Sequence, residues 1–203
     1  MNKNALLVFA KAPIAGHAKT RLIPKLGAVG AAELHQKLVL HTLDNLTNAN
    51  CWDTLLWCAD DIQHEFFQQC YIDYNLKLFA QHGDDLGQRM YHAANLSLKD
   101  YNSICIVGTD CPVLKEENIS EAFETLNYTD IVFNPAEDGG YVLVAAKSIE
   151  RKVFEGIQWG SSEVMHKTLE KTKQMNLDTK LLKTLWDVDV PDDLIRPEIQ
   201  AFI

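Results

Sequence analysis

The sequence predicts an α/β domain in which helices cover both faces of a mostly parallel β-sheet. Short apolar runs alternate with segments of helical periodicity from one end of the chain to the other, which is typical of this class. No repeat, low-complexity tract or linker divides the 203 residues, and 47% of them are hydrophobic. This length and composition suit a single globular domain spanning residues 1–203.

The predicted elements follow from apolar patterning and turn signals. Continuous or alternating apolar runs predict strands at residues 5–10, 54–59, 76–80, 103–107, 130–133, 141–145 and 181–185. Helical spacing predicts helices at residues 31–46, 62–69, 86–98, 114–126 and 162–175, with residues 11–30 as a loop. Asp85 is the predicted N-cap of the third helix.

The bulk composition excludes several classes of protein. A net charge of −9 disfavours nucleic-acid binding and attachment to acidic membranes. No apolar run approaches the roughly 20 residues that span a bilayer, and the short apolar run near the start is interpreted as a first core strand and not as a signal peptide. Five cysteines without a CxxC pair favour reduced thiols over disulfides. We therefore expect a cytoplasmic protein.

Cations concentrate in the loop that follows the first strand, KAPIAGHAKTRL at residues 11–22. In an open α/β sheet, ligands bind beyond the carboxyl ends of the strands. Backbone N–H groups in such a loop bind anions, and Lys or Arg side chains add full charges. A solvated surface loop is the alternative. The pattern favours a phosphate site formed by six residues: Lys11, Ala12, Pro13, Gly16, Lys19 and Arg21.

A carboxylate follows the fourth predicted strand, in GTDCP at residues 108–112. Magnesium prefers one or two protein carboxylates together with phosphate oxygens, so Asp110 is a candidate ligand. The alternative is that Asp110 caps the following turn. Cys111 is interpreted as a small filler, because thiolates suit softer metals.

Two further strand ends carry acidic and glycine residues. In EDGGY, Asp138, Gly139 and Gly140 could bind the acceptor substrate, although a tight turn is the better interpretation of Asp-Gly on local sequence. In DVD at residues 187–189, both carboxylates lie on one face of an extended segment and could hold a metal. Asp189 is the candidate second ligand, with Asp187 left open, and Asp192 and Asp193 are expected to cap a last helix.

Polar residues also follow the third predicted strand. Gln81, Gly83 and Asp85 could contact a nucleobase or ribose. A helix cap is the simpler interpretation of Asp85. Among the seven histidines there is no HExxH pattern, and His17 stands out only because it lies in the first loop.

Taken together and in order, these segments resemble the GT-A-like nucleotide-diphospho-sugar transferase superfamily. They resemble in particular a bacterial family of small glycosyltransferase-like proteins with four characteristic motifs, present here as FAKAPIAGHAKTRL, GTDCP, EDGGY and DVDVPDDL. More distantly, the chain is similar to molybdenum-cofactor nucleotidyltransferases and phospholactate guanylyltransferase. The first loop departs from the glycine-rich loop of those relatives, and the DxD of glycosyltransferases is replaced by Thr109-Asp110-Cys111.

The resemblance implies a three-layer α/β/α sandwich with a mixed, mostly parallel sheet of about seven strands. It also implies Mg²⁺ or Mn²⁺ on Asp110 and Asp189, and catalytic roles for Lys19, Arg21 and Asp110. The expected function is metal-dependent nucleotidyl transfer from an NTP to a small phosphorylated or carboxylate acceptor. The alternatives are glycosyl transfer from an NDP-sugar and a non-catalytic nucleotide sensor. The expected partners are a nucleotide and a small acceptor, with a homodimer as one option.

Overall fold

A computed structural model describes residues 3–47 and 50–203. Seven strands form one sheet in the order β3-β2-β1-β4-β6-β5-β7. They are β1 (Asn4–Ala10), β2 (Asp53–Cys58), β3 (Lys77–Ala80), β4 (Ser103–Val107), β5 (Ile131–Pro135), β6 (Tyr141–Ala146) and β7 (Thr179–Leu181). The sequence predicted the first six of these strands closely.

The sheet is parallel except at β6, which runs antiparallel to both of its neighbours, β4 and β5. The remaining neighbouring pairs are parallel. The carboxyl ends of β1, β2, β3 and β4 therefore meet at one edge, and the β5–β6 turn reaches the same edge. This confirms the predicted mixed, mostly parallel seven-stranded sheet.

Five helices cover the sheet: α1 (Ile23–Leu46), α2 (Glu65–Tyr74), α3 (Leu86–Ser97), α4 (Glu116–Thr125) and α5 (Val164–Gln174). Side chains alternate along β1, so that Leu6 and Val8 pack on the face covered by α1, α2 and α4. Leu7 and Phe9 pack on the face covered by α3 and α5. The predicted three-layer sandwich is thereby confirmed.

A third, smaller apolar cluster joins the start of the chain to its end. Leu22 and Leu38 pack there against Trp186, Val188 and Leu194. Because this cluster fixes the carboxyl-terminal segment against the first loop, two motifs that are far apart in sequence become neighbours at the sheet edge.

Three predicted elements were placed wrongly. The predicted loop 11–30 ends earlier, since α1 begins at Ile23; Pro24 occupies its first turn and Gly27 interrupts it with φ +72°. The second helix lies three to five residues later than predicted, with His64 as its N-cap. The last strand is Thr179–Leu181 and not 181–185, although Leu182 and Leu185 still donate backbone hydrogen bonds to β5 carbonyls.

Other expectations concerned cysteines and membranes. Cys58, Cys70, Cys105 and Cys111 are buried free thiols, and Cys51 is an exposed one. Burial raises the pKa of Cys111 to about 12, which agrees with a filler that stays protonated. In the described part of the chain, none of the helices has the length and apolar character needed to cross a bilayer.

Candidate functional site

Two adjoining cavities lie at the carboxyl edge of the sheet. The larger, which we call the charged cavity, has a volume of about 610 Å³ and is lined by the first loop, the β3–α3 loop and Asp110. The smaller, which we call the apolar chamber, has a volume of about 240 Å³ and lies over β4, β6 and α5. Phe9, Leu86, Gly108 and Asp110 line both. Asp110 therefore stands where the two cavities meet.

The first loop is held in a compact turn by its own backbone. The amides of His17 and Ala18 both donate to the carbonyl of Ile14. Gly16 has φ +84° and Lys19 has φ +49°, so the chain uses left-handed conformations on both sides of Ala18. A left-handed lysine is uncommon, and here it directs the side chain of Lys19 inward.

Lys19 is the most deeply buried cation of the site, because only 4% of its side chain is exposed. Its Nζ lies 2.8 Å from Asp110 Oδ1 and also donates to the backbone carbonyl of Val188. The Val188 amide in turn donates to the carbonyl of Asp110 at 2.9 Å. Lys19 thus connects three of the four motifs through one ammonium group.

Arg21 is the more accessible cation of this loop, with 56% of its side chain exposed, and it pairs with Asp189. Lys11, Lys19 and Arg21 all line the charged cavity. The other predicted loop residues do not line it: Ala12 is buried in the core beneath the loop, and Pro13 and Gly16 lie outside the lining.

Asp110 has one buried oxygen and one accessible side. Its Oδ1 is buried next to Lys19, while 43% of the whole side chain remains exposed toward the cavities. Burial alone would raise the pKa of this carboxyl, but the charge of Lys19 and its hydrogen bond to Asp110 hold the pKa below its usual value. Asp110 is therefore an anion that can present oxygen to a ligand.

His35 is a site residue that sequence reasoning missed. It is buried on α1, its Nε2 lies 3.1 Å from the Lys11 carbonyl, and its Nδ1 lies 3.9 Å from Asp110 Oδ1. The carbonyl contact requires a proton on Nε2, and burial lowers the pKa of the imidazole. A neutral His35 thus supports the first loop from below. The sequence around it contains no metal-ligand or catalytic pattern that would have singled it out.

The β3–α3 loop forms the far wall of the charged cavity. Gln81, Asp85 and Arg89 line it. Asp85 caps α3 by accepting from the amide of Gln88 at 2.8 Å, as the simpler interpretation predicted. Gly83 does not line the cavity, but its carbonyl accepts from Arg89 Nε. Arg89 itself lies one turn into α3.

The EDGGY motif forms the tight turn between β5 and β6. Asp138 Oδ1 accepts from the amide of Gly140, and Ala136 and Gly140 form the closing backbone hydrogen bond. Asp138 and Gly140 line the apolar chamber. Gly139 instead packs on the backbone of Ser162: a Cβ there would lie 2.1 Å from the Ser162 carbonyl oxygen. The turn interpretation is confirmed, and the turn still faces the chamber.

The DVD segment divides its two carboxylates between partners. Asp189 pairs with Arg21, and Asp187 lines the apolar chamber together with Asp110 and Asp138. Burial, and then the charges of Asp138 and Asp110, raise the pKa of Asp187 to about 6. Asp193 accepts from the amides of Asp189 and Val190, which confirms its capping role.

The acidic groups fit a hard divalent cation only in part. Within residues 3–47 and 50–203, no group of three or more His, Cys, Asp or Glu side chains is arranged to hold a metal ion. Asp110 and Asp187 nevertheless face one cavity and repel each other electrostatically. Proteins usually bind Mg²⁺ with one or two carboxylates, and phosphate oxygens of the substrate complete the coordination. The residues present therefore fit a metal that is bound together with a nucleotide.

Residues 42–161 match the model of a protein family described as "Uncharacterized protein conserved in bacteria (DUF2064)". The chain belongs to this family. A search of curated proteins gives no match.

Among solved structures, a protein from Desulfovibrio desulfuricans G20 assigned as a nucleotide-diphospho-sugar transferase superposes with a TM-score of 0.87 at 28% identity, covering 98% of this chain and 94% of that one. The predicted membership of the GT-A-like superfamily is thus confirmed.

More distant structures share the fold alone. A cytidylyltransferase from Leptospira borgpetersenii has a TM-score of 0.62 at 14% identity, covering 95% of this chain and 84% of that one. Glucosyl-3-phosphoglycerate synthase from Mycobacterium tuberculosis, solved with Mn²⁺ and uridine diphosphate, has a TM-score of 0.60 at 7% identity, covering 99% and 78%.

Proposed function

We propose that this chain is a metal-dependent nucleotidyltransferase that transfers a nucleoside monophosphate from an NTP to a small phosphorylated or carboxylate acceptor. The observation that carries the proposal is the charged cavity of about 610 Å³, in which Lys11, Lys19 and Arg21 face Asp110 and Asp189. Cations and carboxylates that line one cavity suit a triphosphate with its bound metal. The relation to nucleotide-using transferases supports the same class.

In this proposal the two walls of the charged cavity bind different parts of the nucleotide. Lys11 and Arg21 bind the phosphates, because their side chains are the more accessible cations of the first loop. Lys19 holds Asp110 until the nucleotide binds and then stabilises charge on the phosphates from the same position. Gln81, Asp85 and Arg89 on the opposite wall offer donors and acceptors to the base and ribose.

The metal would be held by Asp110 and one residue of the DVD segment. Asp187 and Asp189 each share a cavity with Asp110, but Asp189 is engaged by Arg21, so Asp187 is the better second ligand. Bound there with the triphosphate, Mg²⁺ or Mn²⁺ would supply charge neutralisation at the phosphate oxygens.

In the reaction, an oxygen of the acceptor attacks the α-phosphorus of the NTP and forms a new P–O bond. The bond between the α-phosphorus and the bridging oxygen breaks, and pyrophosphate leaves with the electron pair. A phosphate or carboxylate oxygen is already deprotonated at neutral pH, so this acceptor needs no general base. The contribution of the chain is therefore positioning together with electrostatic stabilisation of the leaving pyrophosphate by Lys19 and Arg21.

The test is a comparison of Asp110→Asn with the wild type in magnesium-dependent NTP binding and in pyrophosphate release. We expect Asp110→Asn to remove the magnesium dependence of binding and to lower turnover by more than about a hundredfold, since changes in outer-shell residues alone cost about 10–100-fold. Asp192→Asn is the control, at an exposed acid of the DVDVPDDL motif, and it should retain both magnesium-dependent NTP binding and turnover. An unchanged magnesium dependence in Asp110→Asn would remove the metal assignment.

Glycosyl transfer from an NDP-sugar is the second candidate, favoured by the assigned class of the Desulfovibrio relative. The product distinguishes the two reactions, because an NTP donor releases pyrophosphate and an NDP-sugar releases the nucleoside diphosphate. Magnesium-dependent binding without turnover of any NTP or NDP-sugar would instead support the nucleotide sensor.

A further inference from the structure

The apolar chamber has a lining unlike that of the neighbouring charged cavity. Its walls are formed by β4, β6, α3 and α5, and the apolar residues that define its floor are Ile106, Val144, Met90, Tyr141, Trp159 and Val164. Its charged groups, Asp110, Asp138 and Asp187, lie at the mouth. The floor offers hydrogen-bonding groups only at Tyr141 and Trp159, so most hydroxyl groups of a sugar would stay unpaired there, which is costly.

The shape of the chamber is fixed by two close contacts. A Cβ at Gly87 would lie 2.7 Å from the Trp159 ring, so glycine at this position of α3 allows the indole to pack directly on the helix. On the other side, the Gly139 turn lies against the Ser162 backbone, and the amide of Met165 donates to the Gly139 carbonyl at 2.8 Å. Because both walls rest on backbone contacts, the chamber is preformed.

Two buried donors in the lining, Trp159 Nε1 and the Tyr141 hydroxyl, have no hydrogen-bond partner among the described residues. Trp159 Nε1 is buried, and no described residue accepts a hydrogen bond from it. Buried indole N–H groups usually find an acceptor. An oxygen carried by a ligand in the chamber would satisfy this donor, which is an independent indication that the chamber holds a ligand.

The size of the chamber limits the occupant. Engineered apolar cavities of about 150 Å³ bind benzene, so about 240 Å³ accepts a substituted ring or a branched hydrocarbon group. The nucleotide is assigned to the charged cavity, and Asp110 separates the two compartments. The remaining reactant of a transfer reaction is the acceptor.

We infer that the acceptor carries a compact apolar group, of about the size of a substituted benzene ring, which occupies the apolar chamber and directs the reacting oxygen toward Asp110. This inference rests on the proposed function for the identity of the reactant. The apolar group would account for specificity for the acceptor, because each apolar side chain of the floor that it covers adds to the binding free energy through apolar area removed from water.

The experiment measures binding of benzyl alcohol by saturation-transfer NMR, with glycerol as the polar probe. Both probes are uncharged, so the acidic mouth does not affect the comparison. Val164 lies in the chamber wall and is 5% exposed, so Val164→Phe fills the chamber. Val29→Phe, at a residue that is 63% exposed on α1, is the matched control.

We expect the wild type and Val29→Phe to bind benzyl alcohol and not glycerol. Val164→Phe should bind benzyl alcohol on the order of tenfold more weakly or worse, because the added ring occupies the same volume. Val164→Ala, which enlarges the chamber, should retain binding. Circular dichroism and NTP binding establish whether Val164→Phe is folded. If it is not, Ile106→Phe replaces it as the variant that fills the chamber, and the expected result is again loss of the benzyl alcohol signal.

Three outcomes would overturn the inference: no binding of benzyl alcohol to the wild type, unchanged binding in a folded Val164→Phe, or displacement of benzyl alcohol by saturating NTP and magnesium. The last result would make the chamber part of the nucleotide site. NTP binding is measured in a separate experiment. If the protein binds benzyl alcohol but no NTP, the proposed function is contradicted and the apolar site is not.

Discussion

The two cavities at the sheet edge are built by different means, although they share Asp110 as a wall. The charged cavity is closed by long polar side chains that pair with one another, such as Arg21 with Asp189 and Lys19 with Asp110. The apolar chamber is closed by glycine contacts with backbone and by buried aromatic rings. Ion pairs of accessible side chains can exchange partners when a ligand binds, whereas backbone contacts cannot.

This comparison implies that the charged cavity adapts to its ligand and the apolar chamber does not. Substitutions in the chamber walls should therefore act mainly on stability, and substitutions of accessible groups in the charged cavity mainly on binding. Lys19 is the informative exception, since it belongs to the charged cavity but is buried.

The largest effect is expected for Gly139→Ala. Its Cβ would lie 2.1 Å from the Ser162 carbonyl oxygen, and the residue has φ +92°. Overpacking costs about 1–3 kcal/mol and a left-handed backbone about 1–2 kcal/mol more. We expect the free energy of unfolding in urea to fall by about 3 kcal/mol or more.

The control for that substitution is Gly16→Ala in the first loop. Gly16 has a similar φ of +84°, but no atom lies within 4 Å of the added Cβ. Only the backbone cost of about 1–2 kcal/mol applies. Equal losses in the two variants would contradict the proposed rigidity of the chamber wall.

The next effect is expected for Lys19→Met, which keeps the length of the side chain and removes the charge. The free energy of unfolding should fall by about 2–3 kcal/mol, below the roughly 3–5 kcal/mol of a fully buried pair, because Asp110 retains 43% exposure and can be hydrated. Lys25→Met is the control, at an exposed lysine in the first turn of α1. A loss no greater than that of Lys25→Met would show that Lys19 does not connect the motifs.

Much of this arrangement could be predicted from the sequence, because the strands and the loops that follow them determine which motifs reach one sheet edge. The motifs containing Lys19, Asp110, Asp138 and Asp187 were all identified, and the fold brings them together. What the sequence could not indicate is orientation. Nothing in KAPIAGHAKTRL distinguishes the inward Lys19 from the outward Arg21, since that depends on a left-handed backbone at Lys19.

The apolar chamber could not be predicted for a different reason. Its apolar residues come from five elements and the segment that contains Trp159, and each looks like an ordinary core residue in its own element. A cavity forms where side chains from different elements fail to fill the space between them, and the apolar pattern of a single element does not indicate where this happens. His35 was missed for the same reason, because only the folded structure places it beneath the Lys11 carbonyl.

A smaller effect of opposite sign is expected for Asp187→Asn in the presence of a chelator. The pKa of Asp187 is raised to about 6 in the folded state, against about 3.9 when unfolded, so the folded state holds its proton more tightly and loses stability as the pH rises through this window. The variant should be more stable by about 1–2 kcal/mol at pH 7, after allowance for partial exposure. The difference should disappear below about pH 4, where Asp187 is protonated in both states.

The smallest effect on stability is expected for Arg21→Ala, and it gives the sharpest test of the comparison. Arg21 is 56% exposed and Asp189 is 36% exposed, so their pairing contributes less than about 1 kcal/mol to folding. The same side chain is free to leave Asp189 for a phosphate, and losing that charge-assisted contact should weaken NTP binding by on the order of tenfold, measured by calorimetry with magnesium. Arg151→Ala removes another exposed arginine, one paired with Glu155, and should leave binding unchanged. If Arg21→Ala destabilised the fold as strongly as Lys19→Met and left NTP affinity unchanged, the charged cavity would be a structural ion-pair network and not an adaptable nucleotide site.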